Sequence, residues 1–134
     1  MRYLLDSHII LWALTDYEML PERVRSIISD HSNEIHYSLA SIWEITIKWI
    51  NNPVKVPISG AEMARGCEMD GYRFLPISQS HVNDLVHLSK RSDAPRHADP
   101  FDRILICQAR VEQMTFITHD HLLQYYDEPY IMTV

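Results

Sequence analysis

Five short apolar runs dominate this chain, at 2–6, 35–39, 72–77, 115–118 and 130–134, each separated from the next by a helix-compatible stretch. The runs are too short for helices and do not alternate in polarity. That is the pattern of strands covered on both faces, as in a parallel sheet. Between them, helices are expected at 8–14, from Pro21 in a first turn to about 30, at 41–51, 59–70, 79–91 and 100–112, with a helical turn at 121–126. Ile42, Ile45 and Trp49 share one face of the third. Val82, Leu85, Val86 and Leu88 give the fifth an amphipathic pattern, and Ile104-Leu105-Ile106-Cys107 makes the sixth strongly apolar. Asn51-Asn52-Pro53 stops the third helix, and 92–98 reads as a loop.

Alternating strands and helices imply an α/β, three-layer architecture with a mostly parallel five-stranded sheet. With 134 residues, of which 46 % are hydrophobic, the chain fits a single domain, 1–134, with a sizeable core. Right-handed crossovers then bring every strand-to-helix loop to one edge of the sheet. Ligands of such folds bind at that edge, beyond the carboxyl ends of the strands.

Four acids are directed there. Asp6 ends the first strand, Glu44 falls in the first turn of the helix after the second, and Asp120 follows the fourth. Asp102 starts the helix leading into the fourth strand, and its face continues through apolar Ile106 and Ala109, which turns it inward. Each acid also has a structural explanation. Ser41-Ile42-Trp43-Glu44 fits a capping box, with Lys48 as an i+4 partner for Glu44. Asp99 suits an N-cap before Pro100 at the first helical position. Asp6 and Asp120 can cap the turns that follow them. Capping does not, however, require four carboxylates at one sheet edge. Gathered carboxylates repel unless a cation or proton neutralises them, and magnesium or manganese prefers such oxygen ligands. Two such ions can serve both the attacking and leaving oxygens of a phosphodiester displacement.

The motifs carrying these acids resemble those of the PIN domain in VapC-type toxins. They are Leu4-Leu5-Asp6-Ser7-His8-Ile9-Ile10-Leu11-Trp12, Ser41-Ile42-Trp43-Glu44-Ile45-Thr46-Ile47-Lys48, His97-Ala98-Asp99-Pro100-Phe101-Asp102-Arg103 and Ile117-Thr118-His119-Asp120, in the family's order. The resemblance implies a Mg2+- or Mn2+-dependent endoribonuclease with Asp6, Glu44, Asp102 and Asp120 as its catalytic and metal-binding acids. Thr118 and Ser7 support them by hydrogen bonds. It further implies an RNA substrate, a cognate antitoxin and a homodimer. Where the family often has Thr, this chain has Ser7, and Asn51-Asn52-Pro53-Val54-Lys55 replaces a common Gly-Lys turn. Two other classes are a PIN-like module that binds RNA or protein without cutting, opposed by the intact acid set, and a structure-specific DNA nuclease, opposed by the short chain.

The net charge of −6 has the wrong sign for holding nucleic acid by overall field. Bound cations, together with Lys48, Arg96 and Arg103 near the motifs, would reverse the charge locally. His8, His97, His119 and His121 also lie near the motifs. A pair of them would suit metal-free cleavage through the 2′-hydroxyl, and otherwise they are polar or packing residues of loops. Trp12, Trp43 and Trp49 can stack on bases, although Trp43 and Trp49 fit core or interface positions. Cys67 and Cys107 are expected in the core, and so few cysteines imply a reducing, cytoplasmic setting. Asp6 interrupts the opening apolar run, so neither a secretory leader nor a membrane span is expected.

Overall fold

The computed structural model describes residues 1–97 and 99–134. Ala98, within the third motif and the expected loop, lies outside them. The strands are β1 (Arg2–Leu5), β2 (Glu34–Ser38), β3 (Arg73–Leu75), β4 (Thr115–Thr118) and β5 (Ile131–Thr133). The helices are α1 (Ser7–Thr15), α2 (Glu22–Ser29), α3 (Leu39–Asn51), α4 (Gly60–Met69), α5 (Gln79–Asn83) and α6 (Pro100–Glu112). All five strands form one parallel sheet in the order β3-β2-β1-β4-β5. The chain therefore winds outward from β1 in one direction, then returns to β1's other edge with β4. A crevice opens between β1 and β4 where the winding reverses.

Alternate side chains of the strands feed two cores. Tyr3, Leu5, Ile35, Tyr37 and Ile117 pack with Ile9 and Ile10 of α1, Val24 of α2 and Met63 of α4. Leu4, Leu75 and Phe116 point the other way and pack against Ile104, Leu105 and Ala109 of α6. Helices on both faces explain why the strand segments lack alternation of polarity. Cys67 and Cys107 are unpaired and buried, and burial pushes both thiols up to about 12, as suits core positions. At the start of α4, Gly60 allows close approach to α3. A Cβ there would lie 2.0 Å from Thr46 Oγ1 and 2.7 Å from the Ile42 carbonyl oxygen.

Three local expectations are corrected. The helix after β2 starts at Leu39 and is capped by Ser38, whose side chain accepts from Ala40 N. The proposed Ser41–Glu44 capping box is absent, Ser41 is buried inside the helix, and Glu44 lies in its second turn. Pro21 is the N-cap of α2 rather than its first residue. The predicted helix 79–91 shrinks to α5 and a 3-10 turn at Asp84–His87. Ser78 caps α5 and, with His81 reaching back, draws His81 into the interior beside Glu112 at 3.2 Å. Leu85 shares the His81 face, so Val82 and Val86 turn outward to solvent.

Candidate metal centre

Asp6 sits just past β1, where its amide still bonds to the Ile117 carbonyl of β4. Its Oδ1 accepts from Ser7 N at 2.7 Å, capping α1, and its Oδ2 accepts from Thr118 Oγ1 at 2.7 Å. Thr118 Oγ1 in turn accepts from Asp120 N at 3.0 Å. One buried hydroxyl thereby ties the first acid to the last across the crevice. Glu44 comes in from α3: Oε1 accepts from Ser7 Oγ at 2.6 Å and Oε2 pairs with Lys48 Nζ at 2.9 Å. Asp102 stands at the third position of α6. Asp99 caps that helix by accepting from Phe101 N at 2.9 Å and Asp102 N at 3.3 Å. Asp120 caps the turn after β4 through Leu122 N.

The four carboxylates, together with Asp99, line one open cleft of about 540 Å³ at the sheet edge. Asp6, Glu44 and Asp102 are buried and Asp120 is half-buried. Burial pushes the Asp6 carboxyl up to about 6. The Thr118 bond opposes that rise, and the Glu44 charge adds to it. Asp102 is pushed up to about 8, first by burial and then by the charges of Asp6, Asp99, Glu44 and Asp120. For Lys48, burial alone would lower the pKa, but its bond to Glu44 and the Glu44 charge raise it above the ordinary value.

These shifts fix a pH dependence for the metal-free protein. Both carboxyls ionise in the unfolded chain near pH ~4. Raised folded values mean that the fold favours their neutral forms, and this contribution is lost as pH rises through about 6 and about 8. In chelator, Asp6 and Asp102 are expected to make stability fall from roughly pH 4 to pH 8. Denaturant melts of wild type and of Asp102→Asn check this, because the asparagine removes the larger part of the slope. Equal slopes would mean that Asp102 is not the strained acid.

The donors suit a hard divalent cation, being carboxylate oxygens from separate segments held close enough to oppose each other's ionisation. One ligand atom each of Asp102, Asp120 and His97 also lie within 4.8 Å of one another. His97 contacts Asp102 directly, a connection that the loop assignment did not foresee. Lys55 reaches the cleft too, from the Asn51–Lys55 turn that replaces the Gly-Lys turn common in the family the motifs resemble. Arg103 and Arg96 are not among the described residues lining the cleft. Arg103 instead lies by the Tyr126 phenol, whose pKa is raised by burial, a rise that the Arg103 charge partly opposes. Trp43 is 57 % exposed and meets Phe101 edge-on, and Trp49 is exposed as well, so neither is a core residue. Trp12 lies edge-on between His8 and His119, with centroids at 4.7 and 5.0 Å. His8 and His119 line the cleft, and His119 Nδ1 is also bonded to the Val134 carbonyl.

Comparison with known proteins follows the same lines. The family model described as PIN domain matches residues 3–129. A search of curated proteins gave no match. Among solved structures, the chain is similar to one in the complex of VapBC2 from Rickettsia felis with a promoter DNA fragment. Identity is 13 %, the TM-score is 0.65, and 100 % of this chain and 98 % of that one are covered. It is also similar to a chain of DNA-bound VapBC from Salmonella typhimurium, with 12 % identity, a TM-score of 0.70 and coverage of 99 % and 98 %. A chain of VapBC-1 from nontypeable Haemophilus influenzae gives 17 % identity, a TM-score of 0.60 and coverage of 93 % and 92 %. At these identities the structural matches speak to the fold.

Proposed function

The chain belongs to the PIN domain family, and from that footing we propose that it is a divalent-metal-dependent endoribonuclease, the toxin of a VapBC-type toxin–antitoxin pair. One observation carries the reading: carboxylates from four separate segments meet in one cleft, with Asp6 and Asp102 forced away from their ordinary ionisation. Asp6, Glu44, Asp102 and Asp120 would hold Mg2+ or Mn2+. Bound there, the cation supplies Lewis acidity and a water of lowered pKa for hydrolysis of a phosphodiester. Ser7 and Thr118 orient the acids by the bonds described above. Lys48 and Lys55 place positive charge beside the acids for substrate phosphates, which offsets the net charge of −6 at the point of contact.

An antitoxin partner is supported by the VapBC assemblies to which the fold is similar. An arginine of such a partner would suit the acidic cleft. A homodimer and a cytoplasmic setting belong to the same reading. Two buried, unpaired cysteines fit the latter, and among the described residues no helix is long and apolar enough to cross a membrane.

Purified protein is expected to cut RNA with magnesium or manganese, to stop in EDTA, and to leave matched DNA strands intact. A 2′-deoxy substitution at the scissile nucleotide should be tolerated, because water is the nucleophile. Cleavage that survives EDTA and vanishes on 2′-deoxy substitution would assign the chemistry to the histidines instead. Equal cutting of matched DNA would mean that the site does not select RNA, and cutting of DNA alone would replace RNA as the substrate.

A further inference from the structure

His97 lies behind the acids, with its side chain only 7 % exposed and Nε2 3.1 Å from Asp102 Oδ2. On the other side of the ring, Nδ1 is 2.9 Å from the hydroxyl of Tyr126, which is itself buried. Both ring nitrogens are thus engaged. When Asp102 is ionised, as a metal ligand must be, a neutral ring satisfies all three groups in one direction. Tyr126 O–H donates to Nδ1, and Nε2–H donates to Asp102. The arrangement is held from outside. Lys90 Nζ donates to the His97 carbonyl oxygen at 3.2 Å and lies 5.9 Å from the centre of the Tyr126 ring. Lys90 and Tyr126 also form a backbone bridge.

We propose that the Tyr126–His97 pair positions Asp102 for the cation, binding one carboxylate oxygen and leaving the other free to ligate. The inference rests on the metal-binding reading above and adds two residues to it. His97 is a positioning residue, not a ligand, because a ligating nitrogen would have to give up either Tyr126 or Asp102. Outer-sphere partners of this kind commonly govern metal affinity by roughly 10–100-fold.

Manganese binding to purified protein without RNA tests it, with free Mn2+ followed by electron paramagnetic resonance. The side-chain amide of His97→Gln can take the place of Nε2, whereas that of His97→Asn takes the place of Nδ1. His97→Asn and His97→Ala are expected to bind Mn2+ roughly 10–100-fold more weakly, while His97→Gln stays near wild type. Tyr126→Phe should fall between them, and pulsed spectra of bound Mn2+ should show no nitrogen coupling in wild type that His97→Gln removes. Equal weakening in His97→Gln and His97→Asn overturns the inference, and so does wild-type affinity in every His97 variant. A nitrogen coupling that disappears in His97→Gln would make His97 a direct ligand, which also overturns it. If wild type binds no Mn2+, the metal-binding reading fails and this inference with it. The Gln and Asn variants keep an amide at the site, so their comparison stands even if His97→Ala does not fold.

Discussion

Asp102→Asn should keep the fold and lose RNA cleavage by roughly 10²–10⁴-fold, the range seen when a group acting on the reacting centre is removed. The side chain is buried and its carboxyl is held neutral up to about 8 in the metal-free protein, so a neutral isostere costs the fold little. Asparagine can still accept from His97, and the backbone bond that caps α6 belongs to Asp99. What disappears is the negative charge a divalent cation needs. Asp99 provides the contrast. It is exposed, and its Oδ1 serves Phe101 N and Asp102 N. Asp99→Ser retains a cap and should retain much of the activity, whereas Asp99→Ala should cost about 1 kcal/mol of stability. Cleavage assays and thermal melts of the three variants decide between the acids. An inactive Asp99→Ser beside an active Asp102→Asn would reverse the assignment.

The second large effect is on the stabilisation given by manganese. At a hundred times its dissociation constant, a cation that binds only the native state adds about 2.7 kcal/mol. Asp6→Asn should abolish most of that gain. Without metal, the same variant should match wild type or slightly exceed it. The asparagine oxygen can still cap α1 at Ser7 N, and the loss of charge relieves the opposition of Glu44. One local cost works against this: the Asn amide would face Thr118 Oγ1, which already accepts from Asp120 N and donates to Asp6. Melts with and without Mn2+ separate the effects. A large loss of metal-free stability would show that Asp6 serves chiefly as a cap tying β1 to β4.

The sheet was legible from spacing, as were the positions of Asp6 and Asp120; Glu44 and Asp102, carried on helices, were placed by helical faces and by the motif resemblance. Uniformly apolar strands mark a doubly covered sheet, and an acid just past such a strand is carried to its edge. Ser7 donates to Glu44 and Thr118 to Asp6, contacts between residues 37 and 112 positions apart. Less legible were features in which one polar residue competes with another. Ser38 and Ser41 are both plausible caps, and the structure uses the one that lets β2 run straight into α3. Over 79–87 the pattern favoured Val82 and Val86, yet the capping role of His81 turns the α5 segment the other way. His97 was hidden for a different reason. Its partners lie 5 and 29 residues away and meet it only through the placement of a loop, which has no periodicity to read.

The reversal of winding at β1 has a consequence for how the protein is made. β1 and β4 are neighbours in the sheet, and the Thr118–Asp6 bond spans 112 positions. Closing so long a loop is entropically costly, and contacts of this range form slowly. Asp6 and Glu44 leave the ribosome well before Asp102 and Asp120, and the inner edge of β1 stays unpaired until β4 arrives. Until then no cleft exists. The four acids therefore come together only once β4 has paired with β1, a step that falls late in the synthesis of the chain.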